Sequence, residues 1–429
     1  MKRTLLMAVI SALVICQPSH AEIKEEKKLY PLQAYLPIRI SGYIKWESYG
    51  DSRQVFGFRD DQDLYYPENK DLDANCQDIN ANGQFQMAAL QSRLHIEADG
   101  PNISQATSLG VIEADFFGKA GISNIVRLRH AYLQLLWERV AICAGQYWHP
   151  LYVPEVDVRT VSFNAGAPME TFSRNPQLRI TYKPTTHTDF IFAASTEFDF
   201  PSDGPIGGST TYMRNAIVPM LDAQIKTNWR EHVFGVGLDY KRIVPRLQTN
   251  TGVKAHESLN SFSVIAYSAL NWEKVSTHNK FMFVQNAVDQ NMTGGYAAHC
   301  VDATDDHREY ANLNGIAFWN DTEFNYHNKF IPGWFIGIIK NIGARETILQ
   351  NVTNDDGNIT DQRIFGLGTD IDYIFRISPR LTWKANNFKF GAEFEYTRAA
   401  YGTINNKGDV INTDPVGNFR VLLALFYYL

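Results

Sequence analysis

The last eleven residues of the chain, Phe419–Leu429, alternate between apolar and mixed side chains with a period of two. One uninterrupted apolar stripe consists of Phe419, Val421, Leu423, Leu425, Tyr427 and Leu429. This is the period of a β-strand, because successive side chains point to opposite faces. Aromatic residues at the end of a strand suit a membrane interface, where an apolar ring and a polar tip both find partners. The stripe therefore predicts a strand of a transmembrane β-barrel.

The start of the chain has the pattern of a secretory signal peptide. Two basic residues, Lys2 and Arg3, precede an apolar run, and a small-x-small sequence ends at Ala21. The run holds about thirteen residues, which is too few to span a bilayer, so cleavage after Ala21 is expected. We expect three parts: a signal peptide over residues 1–21, a short periplasmic leader over 22–36 and one transmembrane barrel over 37–429.

Hydropathy does not separate a soluble protein from a barrel here. After the signal, no stretch approaches the roughly 18–20 apolar residues that a transmembrane helix needs. Mean hydropathy is −0.27. A barrel strand needs only about 9–11 residues of alternating character, because its outer face alone meets lipid. The low value is therefore compatible with a membrane protein.

Segments with one polar and one apolar face recur along the chain. Their polar faces include Arg39, Lys45 and Glu47; Arg93, His95 and Glu97; Gln177, Arg179 and Thr181; and Lys389, Glu393 and Glu395. A large soluble β-sandwich also has alternating strands. Full charges of both signs on the polar face favour a transmembrane barrel with a water-filled lumen.

The connections between these segments alternate between short and long. Short ones lie near residues 100–104, 138–139, 184–187, 229–231, 272–277, 326–328 and 386–387. Long or polar ones lie near 51–83, 149–174, 200–214, 247–257, 290–310, 344–361 and 402–417, with a tighter external turn at 118–123. Short periplasmic turns and longer external loops are typical of outer-membrane barrels. The pattern predicts an all-β, antiparallel barrel of sixteen strands, with fourteen and eighteen as alternatives.

A barrel of this size encloses an aqueous channel, so its function depends on what narrows the channel. The candidate is the connection after the fifth strand, residues 149–174, which we call the constriction loop. Its prolines and apolar residues favour packing into the barrel, whereas the Asp- and Asn-rich loops at 71–83 and 351–361 favour solvent. Its charged residues, Glu155, Asp157, Arg159 and Glu170, are candidates for the lining of the pore.

Charged residues on neighbouring strands are the other candidates for a constriction. They are Arg127 and Arg129 of the fourth strand, Glu113 and Asp115 of the third, Arg179 of the sixth and Arg93 of the second. A lipid-facing Arg at mid-membrane costs roughly 2–4 kcal/mol, so these faces are expected to be luminal. Acidic and basic ladders on opposite sides of a constriction would select solutes by charge. Salt bridges within the wall are the alternative.

Two resemblances add to this reading. Phe419, Tyr427 and Leu429 look like the C-terminal assembly signal of bacterial outer-membrane barrels, although Phe is usual at the last position. Phe116-Phe117-Gly118, Arg127-Leu-Arg-His-Ala-Tyr132, Gly145-Gln-Tyr-Trp148 and Pro176-Gln-Leu-Arg-Ile-Thr-Tyr182 resemble segments of the DcaP-like porins, within residues 90–185. This resemblance implies a sixteen-stranded homotrimer whose basic constriction, with Arg127, Arg129 and Arg179, favours anions such as dicarboxylates. The acids of the constriction loop leave the preferred sign of charge open.

Several other functions receive no support from the sequence. The net charge of −6 becomes −8 when Lys2 and Arg3 leave with the signal, which argues against nucleic acid as a partner. A disulfide between Cys76 and Cys300 is conceivable. No nucleophile motif, phosphate loop or metal-ligand spacing stands out, so we expect no enzyme, cofactor or metal. The partners expected are outer-membrane lipid, the barrel assembly machinery and small hydrophilic solutes that diffuse passively. The alternative is a non-conducting surface barrel that acts through its external loops.

Overall fold

The structure is a computed structural model, and it describes residues 37–58, 61–118, 125–327, 329–356 and 358–429. The predicted signal peptide over 1–21 and leader over 22–36 lie outside the described residues. Within these ranges no helix has the length and apolarity required to cross a membrane.

Sixteen antiparallel strands form one closed barrel. They are β1 Ile38–Asp51, β2 Gln84–Ala88 with Arg93–Ile103, β3 Ala106–Asp115, β4 Arg127–Leu136, β5 Val140–Trp148, β6 Arg174–Tyr182, β7 Thr188–Ser195, β8 Met220–Trp229, β9 His232–Ile243, β10 Leu259–Asn271, β11 Val275–Gln285, β12 Arg308–Phe324, β13 Phe330–Asn341, β14 Ile371–Ala385, β15 Phe388–Ile404 and β16 Val410–Tyr428. The predicted strand number is confirmed, and so is the predicted alternation of short turns and longer loops except at the last external connection.

The last strand closes the barrel against the first. The register runs from Tyr43 opposite Tyr428 to Asp51 opposite Arg420, and the other edge of β16 pairs with β15. In lipid an unpaired strand edge would leave amide and carbonyl groups without partners, at several kcal/mol for each group. Closure removes that edge, as the alternation of Phe419–Leu429 predicts.

The two faces of each strand separate lipid from lumen. On β16, Phe419, Val421 and Leu423 are about half exposed on the outside, whereas Arg420 and Leu422 are buried inside. Aromatic side chains also project outward where strands meet the short turns: Trp229, Trp272, Tyr326, Phe388 and Tyr427. Such a girdle marks a membrane interface, because these rings are stable at the boundary between hydrocarbon and water.

The external loops contain structure that the sequence analysis did not predict. A hairpin of Val55–Phe58 and Asp63–Pro67 follows β1, and helix α1, Thr211–Ala216, lies between β7 and β8. The strand Gly294–Val301 pairs with β12 and with the short strand Ile364–Leu367. A small hairpin joins Val352–Thr353 to Ile359–Asp361, and single 3-10 turns occupy Pro154–Val156 and Val288–Gln290.

Two details of the sequence analysis need correction. The long loop predicted over 402–417 is wrong: β15 and β16 continue beyond the apolar band as a hairpin, joined only by residues 405–409. Backbone pairing outside lipid does not require apolar side chains, so the polar residues near Thr413 were misread as a loop. The disulfide considered between Cys76 and Cys300 is not formed, and both cysteines are free and exposed.

Deletion of Phe419–Leu429 is expected to abolish barrel assembly, because it leaves the edges of β1 and β15 without their partner. The measurement is the heat-dependent shift of electrophoretic mobility that folded barrels show, after refolding into detergent. Leu429→Ala is the control and should fold, since only its main-chain amide contacts β1, at the Gly42 carbonyl. A folded deletion variant would contradict the closing role of this strand.

Candidate functional site

The constriction loop folds into the barrel and reaches the opposite wall. It ends at residue 173, because Arg174 begins β6. Arg159 donates from Nε to Asp321 Oδ1 of β12 at 2.8 Å, and Asn164 donates from Nδ2 to Glu395 Oε2 of β15 at 2.8 Å. Its main chain is held as well: Arg376 of β14 donates to the Ala167 carbonyl, Lys45 of β1 donates to the Val161 carbonyl, and Glu393 of β15 accepts from the amides of Val161 and Ser162. The loop therefore narrows the lumen, as predicted.

Apolar packing holds the loop against one half of the barrel. The inner faces of β10–β15 carry buried apolar residues, including Ile265, Met282, Trp319, Phe335 and Ile374. Val156, Val158 and Met169 of the constriction loop and Tyr65 of the hairpin after β1 belong to the same cluster. Removing such side chains from water stabilises the loop by about 1.5–3 kcal/mol for each fully buried residue. This half of the lumen is thus a hydrophobic core.

Glu170 is the most deeply buried acid of the loop. Its carboxylate pairs with Lys280 of β11 and accepts from Thr171 Oγ1 at 2.8 Å. Burial raises the pKa of Glu170, and Lys280 opposes this rise by stabilising the charged form. The pair fixes the end of the loop that leads into β6.

Glu155 and Asp157 lie on the more open side of the loop. Glu155 pairs with Lys226 of β8, and the Asp157 carbonyl lies 2.8 Å from His278 Nδ1. Although nearly half of the Asp157 side chain remains exposed, it lies deep in the lumen, and the surrounding protein raises its pKa to about 6. Asp157 therefore changes charge near physiological pH.

The predicted wall residues form one compact network on β2, β3 and β4. Arg127 binds Asp115 in a bidentate manner, with Nε–Oδ1 at 3.0 Å and Nη2–Oδ2 at 2.7 Å. Arg129 bridges Glu113 at 2.6 Å and Asp115 at 3.1 Å. Arg93 lies 3.5 Å from Glu113. All five side chains face the lumen.

This network corrects the expected opposition of acidic and basic ladders. Glu113 and Asp115 do not lie across the lumen from Arg127 and Arg129, because β3 and β4 are adjacent and pair Asp115 directly with Arg127. Neighbouring charges of opposite sign cancel at short range, so no transverse field arises from these residues alone. The wall salt bridges considered as the alternative are what the structure contains.

Arg179 has a different environment from the other predicted arginines. Its Nε donates to Gln177 Oε1 at 2.9 Å, its Nη2 donates to the Trp148 carbonyl at 2.5 Å, and its guanidinium lies 5.0 Å from the centre of the Tyr147 ring. No carboxylate of the described residues forms an ion pair with it. Its positive charge is therefore not neutralised by direct contact.

Arg179 lines a cavity of about 230 Å³ between the constriction loop and strands β4–β8. The charged residues of this cavity are Arg179, Lys183, Lys226, Glu155 and Asp189, and Tyr132, Tyr147 and Tyr152 contribute ring faces and hydroxyls. Lys226 contacts both Glu155 and Asp189, and with Arg179 and Lys183 the three cations exceed the two acids by one positive charge. Aromatic hydroxyls beside unpaired cations can bind a small anion.

The sequence analysis missed the aromatic support of this region. Trp148 stacks on Tyr152 at 4.0 Å, and Phe117 stacks on Phe163 at 4.1 Å. Arg174 lies over Trp148 at 5.1 Å and pairs with Asp199. The period of two gave no signal for Arg174, because it lies an odd number of positions from Arg179 and its partner Asp199 lies outside the strand pattern.

The root of the constriction loop holds a second buried polar group. His149 Nε2 lies 3.7 Å from Asp222 Oδ1 of β8 and 3.8 Å from Asp239 Oδ1 of β9. Burial lowers the pKa of His149 to about 3, so its imidazole is neutral at physiological pH. These residues were not predicted, because three positions so far apart in sequence form no recognisable spacing.

These features define the class of the protein. A closed sixteen-stranded barrel with a lipid-facing apolar band, short turns at one end and an inward-folded loop after β5 is the architecture of outer-membrane porins and channels. The chain has the fold of outer-membrane β-barrels. No family model matches the sequence, and no curated protein does.

Solved structures of outer-membrane proteins superpose on this chain. The outer-membrane channel DcaP of Acinetobacter baumannii superposes with a TM-score of 0.67 at 14% sequence identity, covering 93% of this chain and 99% of that chain. OmpT of Vibrio cholerae, an outer-membrane protein, gives a TM-score of 0.52 at 10% identity, covering 91% of this chain and 97% of that chain. The predicted resemblance to DcaP-like porins is thus confirmed for the fold.

Glu170→Ala is expected to destabilise the folded protein by about 3–5 kcal/mol, because it leaves the buried Lys280 without its carboxylate partner and with only neutral acceptors, the Leu151 carbonyl and Thr171 Oγ1. Unfolding in guanidinium chloride, followed by Trp fluorescence in detergent, measures the change. Glu155→Ala is the matched control in the same loop. This variant should lower the free energy of unfolding by less than about 1 kcal/mol, since Glu155 is partly exposed and Lys226 retains its ion pair with Asp189. Equal losses in both variants would contradict the anchoring role of Glu170.

Proposed function

We propose that the protein is a porin that allows passive diffusion of small hydrophilic solutes and that it prefers anions. The observation that carries the proposal is Arg179, a luminal guanidinium without a carboxylate partner among the described residues, beside the narrowing made by the constriction loop. A constriction sets the size of the solutes, and its uncompensated charge sets their sign. Arg127, Arg129 and Arg93 are proposed to contribute weakly, since Glu113 and Asp115 neutralise most of their charge.

The arrangement requires neither catalysis nor a cofactor. We propose that the lining residues act only through size and charge and that a solute crosses without a covalent step. A homotrimer is proposed from the resemblance to DcaP-like porins. The barrel assembly machinery is the proposed partner of Phe419–Leu429, because this segment forms the closing strand.

A non-conducting surface barrel is the second candidate. It is favoured by the hydrophobic core inside the barrel, where the constriction loop and the hairpin Val55–Pro67 occupy one half of the lumen. Single-channel recording in planar bilayers separates the two candidates. A porin gives stepwise ohmic currents, whereas a plugged barrel gives almost none, and complete absence of steps would overturn the porin proposal.

Arg179→Gln is expected to lower the permeability ratio of chloride to potassium by about sixteenfold, because the loss of the charge disfavours the anion and favours the cation by about fourfold each. A unit charge about 5 Å from the ion path changes the energy of a monovalent ion by about 0.8 kcal/mol at the dielectric constant of water. Reversal potentials in a salt gradient measure the ratio. Arg139→Gln removes the same charge from an exposed periplasmic turn and serves as the control. An unchanged ratio in Arg179→Gln would refute the role of Arg179.

Anion preference is expected to rise as pH falls through about 6. The protein environment raises the pKa of Asp157 to about 6, so below that value the carboxyl is neutral and the constriction loses a negative charge. Reversal potentials measured between pH 5 and 8 test this expectation. Asp157→Asn should show at every pH the anion preference that the wild type shows at low pH. An anion preference of the wild type that stays constant between pH 5 and 8 would contradict the role of Asp157.

A further inference from the structure

Three ligand-type side chains meet at the root of the constriction loop. His149 is the first residue of the loop, and Asp222 and Asp239 lie directly opposite one another on β8 and β9. One ligand atom from each residue lies within 4.8 Å of the other two. The three positions belong to three separate elements: pairing of β8 with β9 brings Asp222 and Asp239 together, and the start of the constriction loop adds His149.

The atoms that face each other in this cluster receive no hydrogen bond from any other group of the described residues, and the carboxyls of Asp222 and Asp239 have only each other within hydrogen-bond reach. These atoms are His149 Nε2, both carboxylate oxygens of Asp222 and Oδ1 of Asp239. The side chains are 0%, 2% and 8% exposed, so bulk water does not solvate them. Burying a carboxylate without a donor or a counter-ion is costly, and two like charges opposite each other on neighbouring strands add repulsion. The arrangement is explained if a positive species occupies the space between them.

The nearby basic residues, Lys241 and Arg179, form their hydrogen bonds with groups other than Asp222 and Asp239. Lys241 binds Asp289, the Asn286 carbonyl and Ser202, and Arg179 binds Gln177 and the Trp148 carbonyl. The acid Glu197 also faces this region and accepts from Ser202. The surroundings of Asp222 and Asp239 therefore hold more negative than positive charge.

We propose that His149, Asp222 and Asp239 bind a divalent first-row transition-metal ion, with Zn²⁺ or Mn²⁺ as the representative ions. An imidazole nitrogen combined with carboxylate oxygens selects such ions over Ca²⁺ and Mg²⁺, which prefer oxygen alone. In a tetrahedral zinc site with bonds of about 2.0–2.1 Å, neighbouring ligand atoms are about 3.4 Å apart. The distances of 3.7 and 3.8 Å from Nε2 to the two carboxylates need to shorten only slightly.

Binding of the ion would also change the first turn of the loop. The Leu151 amide donates to His149 Nδ1 at 3.2 Å. An imidazole that binds metal through Nε2 carries its proton on Nδ1, which cannot accept that hydrogen bond. Metal uptake therefore exchanges one loop hydrogen bond for the metal bond and moves Leu151. This links the ion to the position of the constriction loop.

An access path lies on the cavity side. Pro150 and Gln224 both line the cavity beside Arg179 and are neighbours of the cluster in sequence and along β8. Gln224 Nε2 contacts the Pro150 carbonyl at 3.4 Å, which is a weak contact on the cavity side of the cluster. We take this side as the route by which an ion reaches the cluster.

The test measures metal content and affinity, independently of conductance. The full chain is refolded in detergent, stripped with EDTA and titrated with ZnCl₂ and MnCl₂ by isothermal calorimetry, with bound metal counted by mass spectrometry. One saturable site per chain is expected, with a higher melting temperature when the ion is bound. His149→Ala and Asp239→Asn should each weaken binding at least tenfold. Folding of each variant is checked by heat-dependent mobility, and Asp222→Asn replaces either variant that fails to fold.

The matched control removes histidines elsewhere. His256, His299 and His307 line a separate cavity of the external loops, so the variant His256→Ala/His299→Ala/His307→Ala should keep the site. The proposal is overturned if the wild type shows no saturable binding, which would leave a shared proton or a water molecule between the acids. It is also overturned if His149→Ala binds as tightly as the wild type or if the triple variant abolishes binding.

Discussion

The structure depends on the hydrogen bonds that join β16 to β1. A barrel in lipid tolerates no open edge, because main-chain groups there find no water to replace a missing strand. Once Tyr43–Asp51 and Arg420–Tyr428 are paired, every strand has two neighbours and the inner faces are fixed at set heights and angles. The positions of Arg179, Asp222 and the salt bridges of β3 and β4 all follow from this closure.

Closure alone does not determine what fills the interior. The constriction loop is held by two kinds of interaction that differ in range. Its apolar side chains pack on β10–β15, which supplies most of the burial, and ionic contacts such as Arg159–Asp321 and Lys280–Glu170 define its register on the wall. Apolar contacts tolerate a small shift of the loop along the barrel wall. A buried ion pair does not, because the shift would leave a charge without its partner. Together they give the loop one position.

The sequence predicted the strands well, because the period of two and the alternation of short and long connections are local signals. It also placed Arg93, Glu113, Asp115, Arg127, Arg129 and Arg179 on luminal faces, which the same period determines. It did not show that Asp115 and Arg127 are neighbours that neutralise each other, because this depends on register between strands. The inward apolar face of β11 and β12 was hidden as well, since both faces of these strands carry apolar residues and the alternation disappears.

The apolar half of the interior makes the lumen asymmetric. The cavity beside Arg179 lies along β4–β8, whereas the constriction loop packs on the inner faces of β10–β15. In the proposed porin, a solute in transit would therefore touch the β4–β8 wall and the polar side of the constriction loop. The same substitution should therefore have different effects on the two sides of the barrel. On β4–β8 it should alter solute permeability, and on β12–β15 it should alter only the stability of the folded protein.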